Sequence, residues 1–265
     1  MSVVRRHPVL TFFILCYALS WGALPWNSFF APGVFIAAVV VVSLTEGVAG
    51  LRGMGARLIR WRVSWIWYAL ALAVPLSVKF AAIALNSALG ASIPSISEFT
   101  VWYGLPMAIA INIVSPLNAQ LPEEASFRGW AQPKLQATRT PLAATALMAI
   151  GVTIWHVPLF LLPQFGSSPI EALATISVTF WYAWLFNHAS GSALLTLIAH
   201  AAEGTIESSA LWAAEVDTTR MIWIWTLLWC TVALGLLIFN RRFWTRPPIT
   251  VPSTEQPAGR AESVV

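Results

Sequence analysis

Long apolar runs separated by short polar stretches dominate the chain. A helix crossing a bilayer needs about 20 such residues. The runs predict helices over 9–26, 30–49, 64–86, 101–121, 142–162, 169–187, 191–213 and 221–240. The expected fold class is therefore an all-α polytopic membrane protein, a bundle of about eight transmembrane helices with both termini on one side. Residues 1–244 are expected to form the bundle. Residues 245–265 are rich in Pro, Ser and Thr, lack any period, and are expected to form a disordered tail. The first run follows Arg5 and Arg6 in the manner of a signal peptide, but it continues to Trp26 without a clear small-residue cleavage site. A retained first helix is predicted instead.

The polar residues between the runs set an orientation. On the side of the N-terminus lie Arg5, Arg6, Arg52, Arg57, Arg60, Arg62, Lys134, Arg139, Arg241, Arg242, Arg246 and Arg260. The other side carries Glu98, Glu171, Glu215 and Asp217, with Arg220 its one basic residue. Basic loops stay in the cytoplasm, so both termini are expected there. Composition agrees: 58% of residues are hydrophobic and 10% charged, where a soluble domain carries roughly a quarter charged. Lipid must be the solvent for much of this surface. The net charge of +4 belongs to helix ends and implies no nucleic-acid partner. Cys16 and Cys230 lack metal-ligand spacing and read as core thiols.

A few ionisable residues fall inside the apolar runs: Glu123, Glu124, Arg128, His156 and His200. Such groups are expensive to hold at membrane depth and mark functional sites by default. The fourth run has two readings. Ending at Pro122, it leaves the two acids in a loop. Continuing toward Arg139, it carries them into the membrane, and a fresh helix start at Pro122 would place both at the positive helix end. In the second reading Glu123, His156 and His200 lie at comparable depth, roughly 15–24 Å from the cytoplasmic helix ends. Glu124 and Arg128 are spaced for a helical ion pair. Glu123 is rotated about 100° away and remains the freer carboxylate, a candidate base. A purely structural Glu-Glu-Arg lock between helices fits the spacing equally well.

The runs EEASFRGW, IWHVPLF and HAAEG resemble the motifs of the CAAX-processing and bacteriocin-immunity family of intramembrane endopeptidases. That family carries Glu-Glu-x-x-x-Arg, an aromatic-rich segment ending in His, and His-x-x-x-Asn or Asp. Glu123, Glu124 and Arg128 supply the first motif, His156 the second and His200 the third. Val152 stands where an aromatic is expected, and Gly204 where the amide is expected. The resemblance implies a bundle whose cavity opens to the cytoplasm. It implies that Glu123 activates water, that His156 holds it, and that His200 stabilises the oxyanion. The substrate implied is a membrane-associated peptide or lipidated protein, and the location is the plasma membrane of a prokaryote. Asn112 or Asn187 could replace the missing amide, and Glu203 could orient His200. No cofactor is required by the pattern, although His156, His200 and Glu123 would suffice as three zinc ligands. A non-cleaving immunity or binding protein and a small proton-coupled transporter remain as alternatives. Among other polar residues, His188 is expected to be structural and Lys79 to snorkel toward the outer interface.

Overall fold

The computed structural model describes residues 3–94, 104–206, 211–212 and 214–248, and these are helical or in turns and loops, with no strand among them. A single turn, α1 (Val3–Arg6), precedes α2 (Pro8–Trp21), whose proline sits at the first helical position, where its missing N–H costs nothing. Next come α3 (Gly33–Thr45), α4 (Gly47–Leu58), α5 (Trp65–Ala88) and α6 (Leu105–Val114). Then α7 (Gln120–Ser126) passes through a π-helical turn (Phe127–Ala131) into α8 (Gln132–Gln136) without a break. The chain continues with α9 (Pro141–Leu161), α10 (Glu171–His188), α11 (Ala193–Glu203), α12 (Glu215–Phe239) and the short α13 (Arg241–Trp244).

Four stretches are long and apolar enough to cross a membrane: Pro8–Trp26, Trp65–Ala88, Pro141–Leu161 and Glu215–Phe239. Gly33–Thr45, Leu105–Val114 and Ala193–Glu203 are shorter apolar helices. The described residues have the all-helical class expected from the pattern, with four helices long and apolar enough to cross a membrane and the other apolar helices shorter than uniform runs suggest. Two runs are interrupted. The run over 30–49 breaks at Gly47, whose φ of +63° suits a residue without a Cβ. The run over 101–121 breaks at Ser115, which precedes Pro116 and is extended (φ −76°, ψ 120°), as a residue before proline prefers to be. The Ser115 hydroxyl accepts from the backbone N–H of Leu117 and of Asn118, closing the turn before the helix restarts. Helix α12 begins at Glu215, earlier than its apolar run, with Glu215 and Asp217 in the first turn, where the helix dipole favours acids. Glu98, Glu207 and most of the predicted tail lie outside the described residues.

The helix carrying the two acids runs through the middle of the bundle. It packs against α3, α4 and α11, and Phe127, Trp130, Ala131 and Gln132 are all buried along it. On one flank α2 lies against α9 at close range. A Cβ at Gly151 would fall 2.4 Å from the Phe13 ring. Around that contact the Tyr17 hydroxyl donates to the Gly151 carbonyl (2.8 Å), and the Trp21 indole N–H donates to the Trp155 carbonyl (3.0 Å). On the other flank α5 packs with α11 and α12. Charge is segregated as its asymmetry along the chain suggests. Arg57 donates to the Gly129 carbonyl, Arg60 to the Ser190 carbonyl and Arg246 to Asn187, gathering the basic residues at one end. Arg220 pairs with Asp217 and Asn86 at α12's opposite end. Lys79 departs from expectation. It is buried rather than snorkelling, with its ammonium 4.9 Å from the centre of the Trp225 ring.

Candidate active site

The site is built where α7 and α11 run antiparallel. Glu123 lies in the first turn of α7 and Glu124 follows it, and both side chains are enclosed, 4% and 0% exposed. Glu124 Oε1 is the hub. It accepts from the Arg128 guanidinium at 3.0 Å, the i,i+4 pair the spacing predicts, and from His200 Nδ1 at 3.1 Å. Arg128 is buried as well, its guanidinium 5.0 Å from the centre of the Tyr182 ring. A buried charge needs both a partner and packing to persist, and here it has both. The ring of His200 tilts over the same tyrosine, with centroids 5.3 Å apart.

Glu123 has no hydrogen-bonding side-chain partner among the described residues, while it lies within electrostatic reach of His200, Arg128 and Glu203. His156 enters from α9. Its Nδ1–H donates to the Val152 carbonyl (2.9 Å), because a carbonyl can only accept. That bond leaves the Nε2 lone pair free. Trp155 meets the His156 ring edge-on at 4.8 Å and Phe160 stacks on it at 5.8 Å, so its orientation is fixed on both sides. His156 is in turn within electrostatic reach of His200. The structure thus brings Glu124, Arg128 and His200 into direct contact, with Glu123 and His156 beside them.

One residue was missed by sequence reasoning. Gln120, the first residue of α7, lies one turn before the two acids and on their face. Its Nε2 stands 2.8 Å from the point a Cβ on Gly204 would occupy. Gly204 lies one turn beyond His200, and its N–H donates to the His200 carbonyl. A side-chain amide from α7 therefore fills the space left by the absent side chain at 204. The Gln120 Oε1 is buried without a partner among the described residues. The signal was available: an amide at i−3 and i−4 from a buried Glu-Glu pair.

The other predicted helpers are engaged elsewhere. Asn112 Oδ1 accepts from Asn118 in the turn between α6 and α7. Asn187 bonds to Gln136 and Arg246 at the basic end. Glu203 is near, but Glu124 is the acid hydrogen-bonded to His200. His188 donates to the Trp184 carbonyl and packs on Trp184 and Phe243, a structural placement. Among the described residues no three His, Cys, Asp or Glu side chains converge closely enough to hold a metal ion. The zinc set of His156, His200 and Glu123 is therefore not assembled among the described residues.

Residues 100–206 match the family model described as type II CAAX prenyl endopeptidase, Rce1-like. That stretch holds Gln120, Glu123, Glu124, Arg128, His156, His200 and Gly204. No match to a curated protein was found.

Proposed function

We propose that this Rce1-like domain makes the chain an intramembrane endopeptidase that hydrolyses a membrane-associated or prenylated peptide with a glutamate-activated water. The observation that carries the reading is the division of labour between adjacent acids. Glu124 Oε1 is held by Arg128 and His200, whereas Glu123, enclosed beside it, lacks a hydrogen-bonding side-chain partner among the described residues. A carboxylate without such a partner is available to take a proton, and one held by two donors is available to hold geometry.

In this mechanism the free Nε2 of His156 accepts a hydrogen bond from the nucleophilic water. Glu123 removes its other proton as the oxygen attacks the scissile carbonyl. The negative charge that develops on the carbonyl oxygen is met by His200, whose Nδ1–H is committed to Glu124 and whose Nε2–H points the other way. The Gln120 amide supplies the second donor. Glu123 then returns its proton to the leaving amine, and two peptides with a new carboxylate and a new amine depart. The basic end of the bundle is cytoplasmic in this reading. Glu123 then lies thirteen residues from the end of α8, about 20 Å of helix.

Glu123→Gln tests the reading on purified protein in liposomes, assayed with a farnesylated CAAX peptide. The expected result is a loss of roughly 10²–10⁴ in kcat, the range for a general base, with thermal unfolding unchanged because no hydrogen-bonded partner is lost. Wild-type turnover in that variant would end the proteolytic interpretation.

A further inference from the structure

At the basic end of the bundle, remote from Glu123, a cavity of about 610 Å³ opens between α4, α8, the α10–α11 turn and the segment after α13. Four cations line it: Arg57, Arg60, Lys134 and Arg246. The one carboxylate in its lining, Glu46, is already taken by Lys134 (2.8 Å) and by the Trp130 indole N–H (3.0 Å). Burial raises the cost of the Glu46 charge, yet those two donors outweigh it and hold the acid below its usual range. Glu46 is therefore ionised and committed. Among the described residues no carboxylate is hydrogen-bonded to any of the three arginines, and Glu46 acts on Arg57 only through the field of its charge. Arg57 and Arg60 donate to main-chain carbonyls and Arg246 to an amide oxygen, so each guanidinium is positioned but not neutralised. The Arg246 Nε is buried without a partner among the described residues. Burial, with Arg60 nearby, works against the charge of Arg57, and the Glu46 carboxylate offsets this only in part.

Three guanidinium groups held by neutral acceptors around one concavity form an arrangement suited to an anion. Planar forks of this kind suit phosphate oxygens better than point charges do. The pocket also lies among the basic helix ends, where a chain that spans a bilayer would meet lipid phosphates. We propose that this cavity is a binding site for a phosphate group, supplied either by an anionic lipid headgroup of the adjacent leaflet or by a free phosphate. The site is independent of the catalytic reading. It does touch the catalytic helix, because Arg57 holds the Gly129 carbonyl in the π-helical turn and Lys134 lies on α8.

Arg246→Gln is the informative variant, since it removes a cation whose hydrogen bond goes only to a side chain and leaves the main-chain anchors of Arg57 and Arg60 in place. Arg241→Gln/Arg242→Gln is its control. Both residues are exposed on the adjacent turn and neither lines the cavity. Full-length protein in phosphatidylcholine nanodiscs, with and without 20% phosphatidic acid as the probe, is followed by thermal unfolding; inorganic phosphate is then titrated into each. Phosphatidic acid is expected to raise the wild-type midpoint, and Arg246→Gln to weaken the apparent affinity about tenfold while the control keeps it. Stabilisation by inorganic phosphate without the lipid assigns the site to the free anion. Stabilisation by the lipid that phosphate neither reproduces nor displaces assigns it to a headgroup. An equal loss in the control variant, or none in Arg246→Gln, reduces the effect to general surface charge and overturns the proposal.

Discussion

Gln120→Ala separates an amide that works in the site from one that merely fills space. The reading gives Gln120 the role of second donor to the oxyanion, and removing one such donor costs about 10²–10³ in kcat, or about 2.7–4 kcal/mol of transition-state stabilisation. KM should hardly move, because the donor is used after binding. The second half of the test follows from Gly204. An asparagine there puts its Cβ 2.8 Å from the Gln120 Nε2, against at least 3.4 Å for ordinary contact. The obstacle is the far end of a flexible side chain, so Gly204→Asn should fold by displacing the glutamine amide by several tenths of an ångström or more. Two amides then compete for one place, and the single substitution should not raise turnover. In the double variant Gln120→Ala/Gly204→Asn the space is vacated and the amide is supplied from α11 instead, so most of the loss should be recovered. The assay is initial-rate cleavage of a farnesylated peptide in liposomes for all four proteins. The cycle isolates the coupling between the two positions, which should be of opposite sign to the single loss and exceed about 1.4 kcal/mol, a factor of ten. Gln120→Ala within threefold of the wild-type rate, or a double variant no faster than Gln120→Ala, would refute the reasoning.

Glu124→Gln should fail differently from Glu123→Gln. It leaves Arg128, 2% exposed, without its buried counter-charge, which costs about 3–5 kcal/mol and should appear as a lower unfolding midpoint; a midpoint equal to that of Glu123→Gln would contradict the division of roles between the acids. Gly151→Ala drives a methyl to 2.4 Å from the Phe13 ring where α2 meets α9. Overpacking of this kind costs about 1–3 kcal/mol, measurable by thermal unfolding in detergent, and an unchanged midpoint would mean that the two helices are not held at this distance.

Several contacts of the candidate site were legible in the sequence. The apolar runs placed the helices, and the i,i+4 spacing placed Glu124 against Arg128. The same geometry left Glu123 apart. What the runs could not convey was where they break. A window of apolar residues registers composition, while Ser115 becomes extended because of the proline that follows it. The break resolves the two readings of the fourth run: α6 ends, and a new helix begins at Gln120 with both acids at its positive end. Contacts between helices were invisible for a different reason. Whether Glu203 or Glu124 holds His200 depends on how α7 and α11 are rotated against each other, and either choice satisfies the spacing within α11 alone. Glu124 makes the contact.

The absent side chain at Gly204 shows most clearly how the two levels combine. Along the chain it is a deletion: a motif lacks its last member. In space α7 and α11 run antiparallel, so one turn beyond His200 faces one turn before Glu124, and that facing residue is Gln120. The pairing of Glu124 with His200 therefore requires whatever occupies 120 to stand over 204. A small residue at both positions would leave a gap lined by a buried imidazole and two acids, and a large one at both would force the helices apart and break the 3.1 Å contact to His200. The Gln120 amide takes the space that a side chain at 204 would fill, so the vacancy read from α11 alone is occupied once α7 is set beside it.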